Sequence, residues 1–266
     1  MGYSALMKKA SLVGAFFVFG FSAFSVQAFC LAPGPLPPVK VAWVVDGDTL
    51  RLVDGRSVRL IGVNAPERAR NGRPAEAFAE SAYKRLHALV NASNGQIGLR
   101  LGQPARDHYG RTLAHTYDAK GQNLEAQLLA EGLAYQVAFA PDSGLVDCQR
   151  EAESQARQAG LGVWNRSPVL APSAIRASGF TLLQGRVTHV ERNAGGLWLD
   201  LQDGVVLRIE PKRLRYFVIE DLQVLVGRRV EVRGWLIDRA RRGGLKPGQA
   251  RWLLPLTHPA MIEVVR

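Results

Sequence analysis

Three short clusters hold the residues of this chain whose types and spacing could do chemistry together. They are Val45-Asp46-Gly47-Asp48-Thr49, Arg59-Leu60-Ile61-Gly62-Val63-Asn64-Ala65-Pro66-Glu67 and Asp107-His108-Tyr109-Gly110-Arg111. Asp46 and Asp48 sit two apart at a turn. Paired carboxylates with nearby carbonyls suit a hard cation such as calcium, which takes oxygen ligands at ~2.3–2.6 Å. The same pair is also what an ordinary Asp-Gly hairpin turn contains. Arg59 opens an apolar run, and its guanidinium can grip a phosphate through two parallel hydrogen bonds. A salt bridge to a local carboxylate is its plainer role. Glu67 follows a proline that stiffens its loop, and taken singly it is a solvated charge. Arg111 follows Gly110, and taken singly it is an exposed strand residue.

As a set, in this order and spacing, the clusters resemble the staphylococcal nuclease family. That family's pattern reads D-G-D-T, then R-x-x-x-x-D-(T/A)-P-E, then D-x-Y-G-R. The resemblance covers roughly residues 39–165, including the closing Leu161-Gly162-Val163-Trp164, and leaves the C-terminal unit uncovered. It implies catalytic roles for Arg59, Glu67 and Arg111, and calcium bound by Asp48, Asn64 and the Ala65 carbonyl, with Asp46 behind them. Tyr109 matches a tyrosine that binds substrate phosphate, and His108 stands where the family often has lysine. The implied reaction is hydrolysis of phosphodiesters in DNA or RNA at the P–O5′ bond, leaving 3′-phosphates. Asn64 departs from the pattern: the family has aspartate there. Its amide keeps an oxygen but drops a negative charge, so calcium affinity should fall. Asn64 therefore favours a second reading, a non-catalytic nucleic-acid or envelope-binding protein with a degraded metal site. The intact Arg59, Glu67 and Arg111 favour the enzyme. The family's substrate-stacking tyrosines have no clean counterpart, although Tyr135 and Phe139 lie nearby.

The elements that must position these clusters read as a β-rich domain. Short apolar, β-branched runs with tight turns predict strands over 39–45, 49–53 and 57–63. A helix is predicted over 74–90, with Pro74 in its first turn and Phe78, Ala82, Leu86, Leu89 and Val90 on one face. Strands follow over 97–102 and 111–117. Asn123 is expected to cap one helix that Gly132 stops, and Asp147 another that Gly160 stops. The order predicts an OB-like five-stranded barrel plus helices over 39–166, entered by a Pro-rich lead-in at 29–38. An aperiodic Pro/Ser stretch reads as a linker over 167–179. Strand runs at 181–191, 197–201, 205–209, 229–236, 251–256 and 261–265 predict a second small β or OB-like domain over 180–266, with residues 211–226 a candidate helix.

Bulk properties narrow the partner class. The 266 residues carry a net charge of +11, with a pI near 10.2. A surface of that sign attracts polyanions, so nucleic acid or an anionic membrane surface is the expected partner class, and nucleic acid is the one the three clusters point to. Residues 29–170 hold 16 Lys+Arg against 14 Asp+Glu, whereas residues 171–266 hold 16 against 9. Most of the excess therefore lies in the C-terminal third. There Arg228, Arg229, Arg233, Arg239, Arg241, Arg242 and Lys246 cluster near Trp235. They read either as a polyanion groove beside a stacking aromatic or as a solvated loop beside a core tryptophan.

Residues 1–28 read as a secretory signal: Lys8 and Lys9, an apolar stretch from Ser11 to Phe24, and a small-x-small site at Val26-Gln27-Ala28. The expected product is a monomer in the periplasm or outside the cell, with no membrane span left after cleavage. An uncleaved membrane anchor is the alternative. Cys30 and Cys148 are the two cysteines, and in an oxidising compartment they are candidates for a disulfide. Together with five scattered histidines they give no zinc-like spacing.

Overall fold

The computed structural model describes residues 30–265 apart from 244 and 247. The expected signal segment, 1–28, lies outside the described residues. The mainly β fold with accompanying helices is observed. In the first unit, β1 (Pro38–Asp46), β2 (Thr49–Leu52) and β3 (Ser57–Leu60) form an antiparallel meander. A two-residue strand β4 (Val63–Asn64) follows. Beyond the helix α1 (Ala79–Ala92), β5 (Gln96–Arg106) and β6 (Thr112–Tyr117) complete the ring. β3 runs parallel to β6, and β5 pairs with both β6 and β1, closing a barrel in the order β1-β2-β3-β6-β5.

Period-two burial explains the strands. In β2 and β3, Leu50, Leu52, Val58 and Leu60 face inward and are fully buried, each contributing about 1.5–3 kcal/mol. α1 plugs one end of the barrel with Ala82, Leu86, Leu89 and Val90. It starts at Ala79, later than Pro74 suggested. Phe78 adopts a left-handed conformation (φ 67°) that blocks helix before it, and its ring packs with the cluster around Val163 and Trp164. The pull of that tertiary contact outweighs proline's preference for a first turn.

Helix α2 (Leu124–Ala130) is capped as expected: the Asn123 side chain accepts the Ala126 N–H at 2.9 Å. The strand β7 (Tyr135–Gln136) pairs with β4. Helix α3 (Val146–Gln158) begins one residue before Asp147, which lies in the first turn and does not cap it. Cys30 and Cys148 are joined in a disulfide that ties the start of the described chain to α3. Beneath the barrel Glu125 is fully buried, accepting the Thr116 N–H at 2.9 Å and the Asn123 amide. Burial pushes its carboxyl up to about 8. His115 nearby is held at about 4, by burial first and then by the charge of Arg100.

Between the units, residues 167–179 pack back onto the protein. β8 (Val169–Leu170) runs parallel to β9 (Gly179–Asn193), and Pro172 and Ile175 are buried. β10 (Gly196–Leu201), β11 (Val205–Ile209), β12 (Arg229–Asp238), β13 (Trp252–Pro255) and β14 (Ile262–Val264) follow. Residues 211–226 hold a 3-10 turn and the short helix α4 (Ile219–Gln223) rather than one helix. The additional pairing of β9 with β12 closes β9-β10-β11-β13-β12 into a second ring, with β11 parallel to β13. Its strand order and directions repeat those of the first barrel.

The two units share a core and an ion network. Val137, Ala138 and Val146 of the first pack into the apolar interior of the second. Arg233, part of the basic run in the sequence, is buried and bonds Glu153 of α3 at 2.5 Å and the Gln136 carbonyl at 3.3 Å. Glu231 receives two hydrogen bonds from Arg157, at 2.7 and 2.6 Å. Arg233 is thus an interface residue, unavailable to a polyanion. Arg251 and Arg241 pair with Asp238. Trp235 is 37% exposed, so it is no core tryptophan. Among the described residues, no helix is long and apolar enough to cross a membrane.

Candidate active site

The first cluster is held by a close approach of backbone. Gly47 sits against α1 and the following loop, where a Cβ would lie 2.6 Å from that of Ala82 and 2.7 Å from that of Ala65. Only glycine lets the β1–β2 turn press that near. The Asp46 carboxylate accepts the Asp48 N–H at 3.2 Å. Asp48 is buried, and its two oxygens are divided: Oδ1 accepts the Thr49 hydroxyl at 3.0 Å, and Oδ2 accepts the Ala65 N–H at 2.9 Å. This last bond ties the turn to the 61–67 loop.

Arg59 points from β3 into the same corner. Nη1 pairs with Asp48 Oδ1, while Nη2 donates to Asn64 Oδ1 and to the Val63 carbonyl, both at 3.2 Å. Burial lowers its pKa to about 10, and Arg111 adds to that, while Asp46 and Glu67 oppose it. Burial also lifts Asp46, with Arg59 pulling it back.

Glu67 follows Pro66 at the rim. Its backbone is fixed by reciprocal bonds with Glu76, at 2.9 Å each. Its own carboxylate makes no hydrogen bond among the described residues. Burial raises the Glu67 carboxyl and the Asp46 charge raises it further, while Arg59 and Arg111 draw it down.

The third cluster is a turn built by Asp107. Its Oδ1 accepts the N–H groups of Tyr109 and Arg111 at 2.9 Å, and Gly110 takes a left-handed φ of 79°. Asp107 Oδ2 accepts the Nε–H of Arg111 at 2.7 Å. Burial favours protonation of this carboxyl, but the Arg111 hydrogen bonds and charge prevail and hold it below its ordinary value. Tyr109 is exposed, 5.4 Å from the Arg111 guanidinium, and stacks on His108 at 3.8 Å.

Two clefts meet at this site. One, of ≈ 630 Å³, is lined by Asp46, Tyr109 and Arg111 together with Arg51, Arg56, Arg70 and Arg106. A pocket with five arginines suits an anion such as phosphate. The other, of ≈ 1100 Å³, holds Asn64 and Glu67. Arg70 borders both, whereas His108 lines neither. The arginines around Arg111 and the orienting role of Asp107 went unassigned in the sequence. Their one signal there is the density of arginine at 51–59, 68–73 and 106–111.

The donor set fits a hard cation in kind. Asp48 Oδ1 and Asn64 Oδ1 already turn to one centre of positive charge, the Arg59 guanidinium, and every donor is oxygen. No group of three or more His, Cys, Asp or Glu side chains among the described residues could hold a metal. A cation here would rest on one carboxylate, one amide, backbone carbonyl and water.

Part of the chain is similar to known nucleases. The family described as Staphylococcal nuclease homologue matches residues 57–166. Endonuclease YncB of Bacillus subtilis is 34% identical over 128 residues, 46% of this chain and 59% of the relative. The SPbeta prophage-derived endonuclease YokF of the same organism is 33% identical over 128 residues, 46% of this chain and 42% of the relative. Thermonuclease of Staphylococcus intermedius is 30% identical over 126 residues, 46% of this chain and 73% of the relative. The chain thus spans about half the length of the two Bacillus proteins.

Proposed function

Because this chain belongs to the staphylococcal nuclease family, we propose that it is a calcium-dependent nuclease hydrolysing phosphodiester bonds of DNA or RNA. The observations that support the reading are the corner where Asp48 and Asn64 both hold Arg59, and the turn where Asp107 aims Arg111 into an arginine-lined cleft. Arg111, aimed by Asp107, has both terminal amino groups free among the described residues and binds the phosphate bidentately. Arg59, held from behind by Asp48, adds a second positive charge. Together they offset the charge that grows on the phosphoryl oxygens as water attacks. Glu67 takes the proton of that water on its carboxylate, which makes no hydrogen bond among the described residues. Calcium bound by Asp48, Asn64 and the Ala65 carbonyl would supply Lewis-acid polarisation of the phosphate.

The test is cleavage of single-stranded DNA by the purified protein, with calcium or with chelator, beside Glu67→Gln. The reading expects cleavage only with calcium, and a loss of about 10²–10⁴-fold in the variant. Equal cleavage by both proteins would remove the assignment. Export belongs to the same proposal and is supported by the pattern of residues 1–28. N-terminal sequencing of the protein from its host should begin at Phe29; a start at Met1 would count against it.

A further inference from the structure

The larger cleft runs away from the candidate site into the second barrel. One wall is the loop from Asn64 to Phe78. The opposite wall is formed by residues 165–170, Phe180 and Trp235, nearly all of it beyond the family match that ends at residue 166. The chemistry of the two walls is mixed in a specific way. Arg70, Arg73 and Arg166 are exposed and form no ion pair among the described residues. The same cleft is lined by a row of rings: Tyr135 to Phe180 at 5.4 Å, and Phe180 to Trp235 at 5.1 Å. Trp235 keeps 37% of its surface open.

We propose that this cleft is a binding subsite for single-stranded nucleic acid, into which the strand extends from the cleavage site. The inference rests on the nuclease reading, which makes nucleic acid the ligand. Phosphates lie along Arg70, Arg73 and Arg166, and bases stack on Phe180 and Trp235. Aromatic rings beside a cationic track are what a strand with exposed base faces requires. A duplex keeps those faces stacked on one another and gains only the charge. Two observations choose this occupant: the cationic charge of the walls, and the continuity of the cleft with Asn64 and Glu67. The second barrel is then part of the substrate site, and its attachment to α3 through Arg233–Glu153 and Arg157–Glu231 keeps the far wall in register with the near one.

The experiment uses the full chain and three probes: a fluorescent oligothymidylate of twelve nucleotides, a duplex of equal length, and a thymidine dinucleotide as a short substrate. Trp235→Ala and Phe180→Leu should each weaken oligothymidylate binding by about tenfold or more. Arg166→Ala, at an exposed position that does not threaten folding, should reduce the slope of log affinity against log salt by about 1. Duplex binding should change little in the two aromatic variants, and dinucleotide cleavage should stay at the parent rate in all three. Parental affinity for the oligothymidylate in Trp235→Ala and an unchanged salt slope in Arg166→Ala would overturn the proposal. So would an equal loss of duplex affinity in the aromatic variants. If the parent cleaves nothing but binds the oligothymidylate through these residues, the nuclease reading fails and the subsite stands. If it cleaves and the variants bind as the parent does, the reverse holds.

Discussion

Asp107 holds Arg111 by its Nε–H at 2.7 Å while its other oxygen accepts two backbone N–H groups of the same turn. One carboxylate both shapes the loop and aims the guanidinium. Replacing Asp107 by Asn keeps an acceptor for the turn and removes the charge that anchors Arg111. A fall in kcat of about tenfold is expected, with the melting temperature nearly unchanged. Arg111→Lys loses the fork itself and should lower kcat by about 10²–10³-fold. Steady-state kinetics with a defined oligonucleotide checks both, and a larger loss in the Asp107 variant than in the Arg111 variant would contradict this arrangement.

Asn64 donates no negative charge to the corner that Asp48 and Arg59 share. Asn64→Asp is expected to tighten calcium binding by about tenfold or more, because carboxylate count sets affinity in oxygen sites. Isothermal titration of the two proteins at one ionic strength reads this directly, and unchanged affinity would place the cation elsewhere.

Glu125 and His115 give the protein a definite stability profile. Glu125 is raised from 4.5 to about 8 in the folded state, so the fold holds a proton that the unfolded chain has lost, and stability falls as pH rises between these values. His115 is lowered from 6.5 to about 4, so its contribution rises with pH across that window and is complete above 6.5. The two oppose each other at acid pH, and between 6.5 and 8 Glu125 dominates. Stability should drop by about 1 kcal/mol over that interval. Glu125→Gln, an isostere of the protonated acid, should flatten the slope in denaturant titrations at pH 6.5 and 8.

Arg233 is buried between two carboxylates at the junction of the barrels. Arg233→Ala leaves Glu153 and Glu231 without that partner, and a loss of about 3–5 kcal/mol is expected. Calorimetry should show one unfolding transition in the parent and two in the variant. Two transitions in the parent would mean the barrels unfold independently.

Much of the first barrel was legible because its inward positions alternate in strands such as 49–52 and 57–60, where local pattern and tertiary burial agree. The candidate site was legible only as three clusters whose set resembles a family pattern, and those clusters sit on β1, β3 and the 107–111 turn, shaped locally by Gly47, Asp107 and Gly110. What stayed hidden depends on pairings far apart in sequence. Phe78 sets the start of α1 through contacts with residues near 164. Arg233 reads as surface charge until Glu153, 80 residues earlier, is beside it. Tyr135, Phe180 and Trp235 become one row only when both barrels are closed and docked.

The repeated strand order has a sequel at the matching corner of the second ring. There Arg208, on the third strand, donates to the Gly195 carbonyl at 3.0 and 2.8 Å, in the turn that joins the first strand to the next. That turn, Asn193-Ala194-Gly195-Gly196, holds no acid. The architecture thus keeps a corner arginine in both copies, but only the first turn carries aspartates, Asp46 and Asp48, at its tip, so the two halves are alike in shape and unlike in the charge they set beside that arginine.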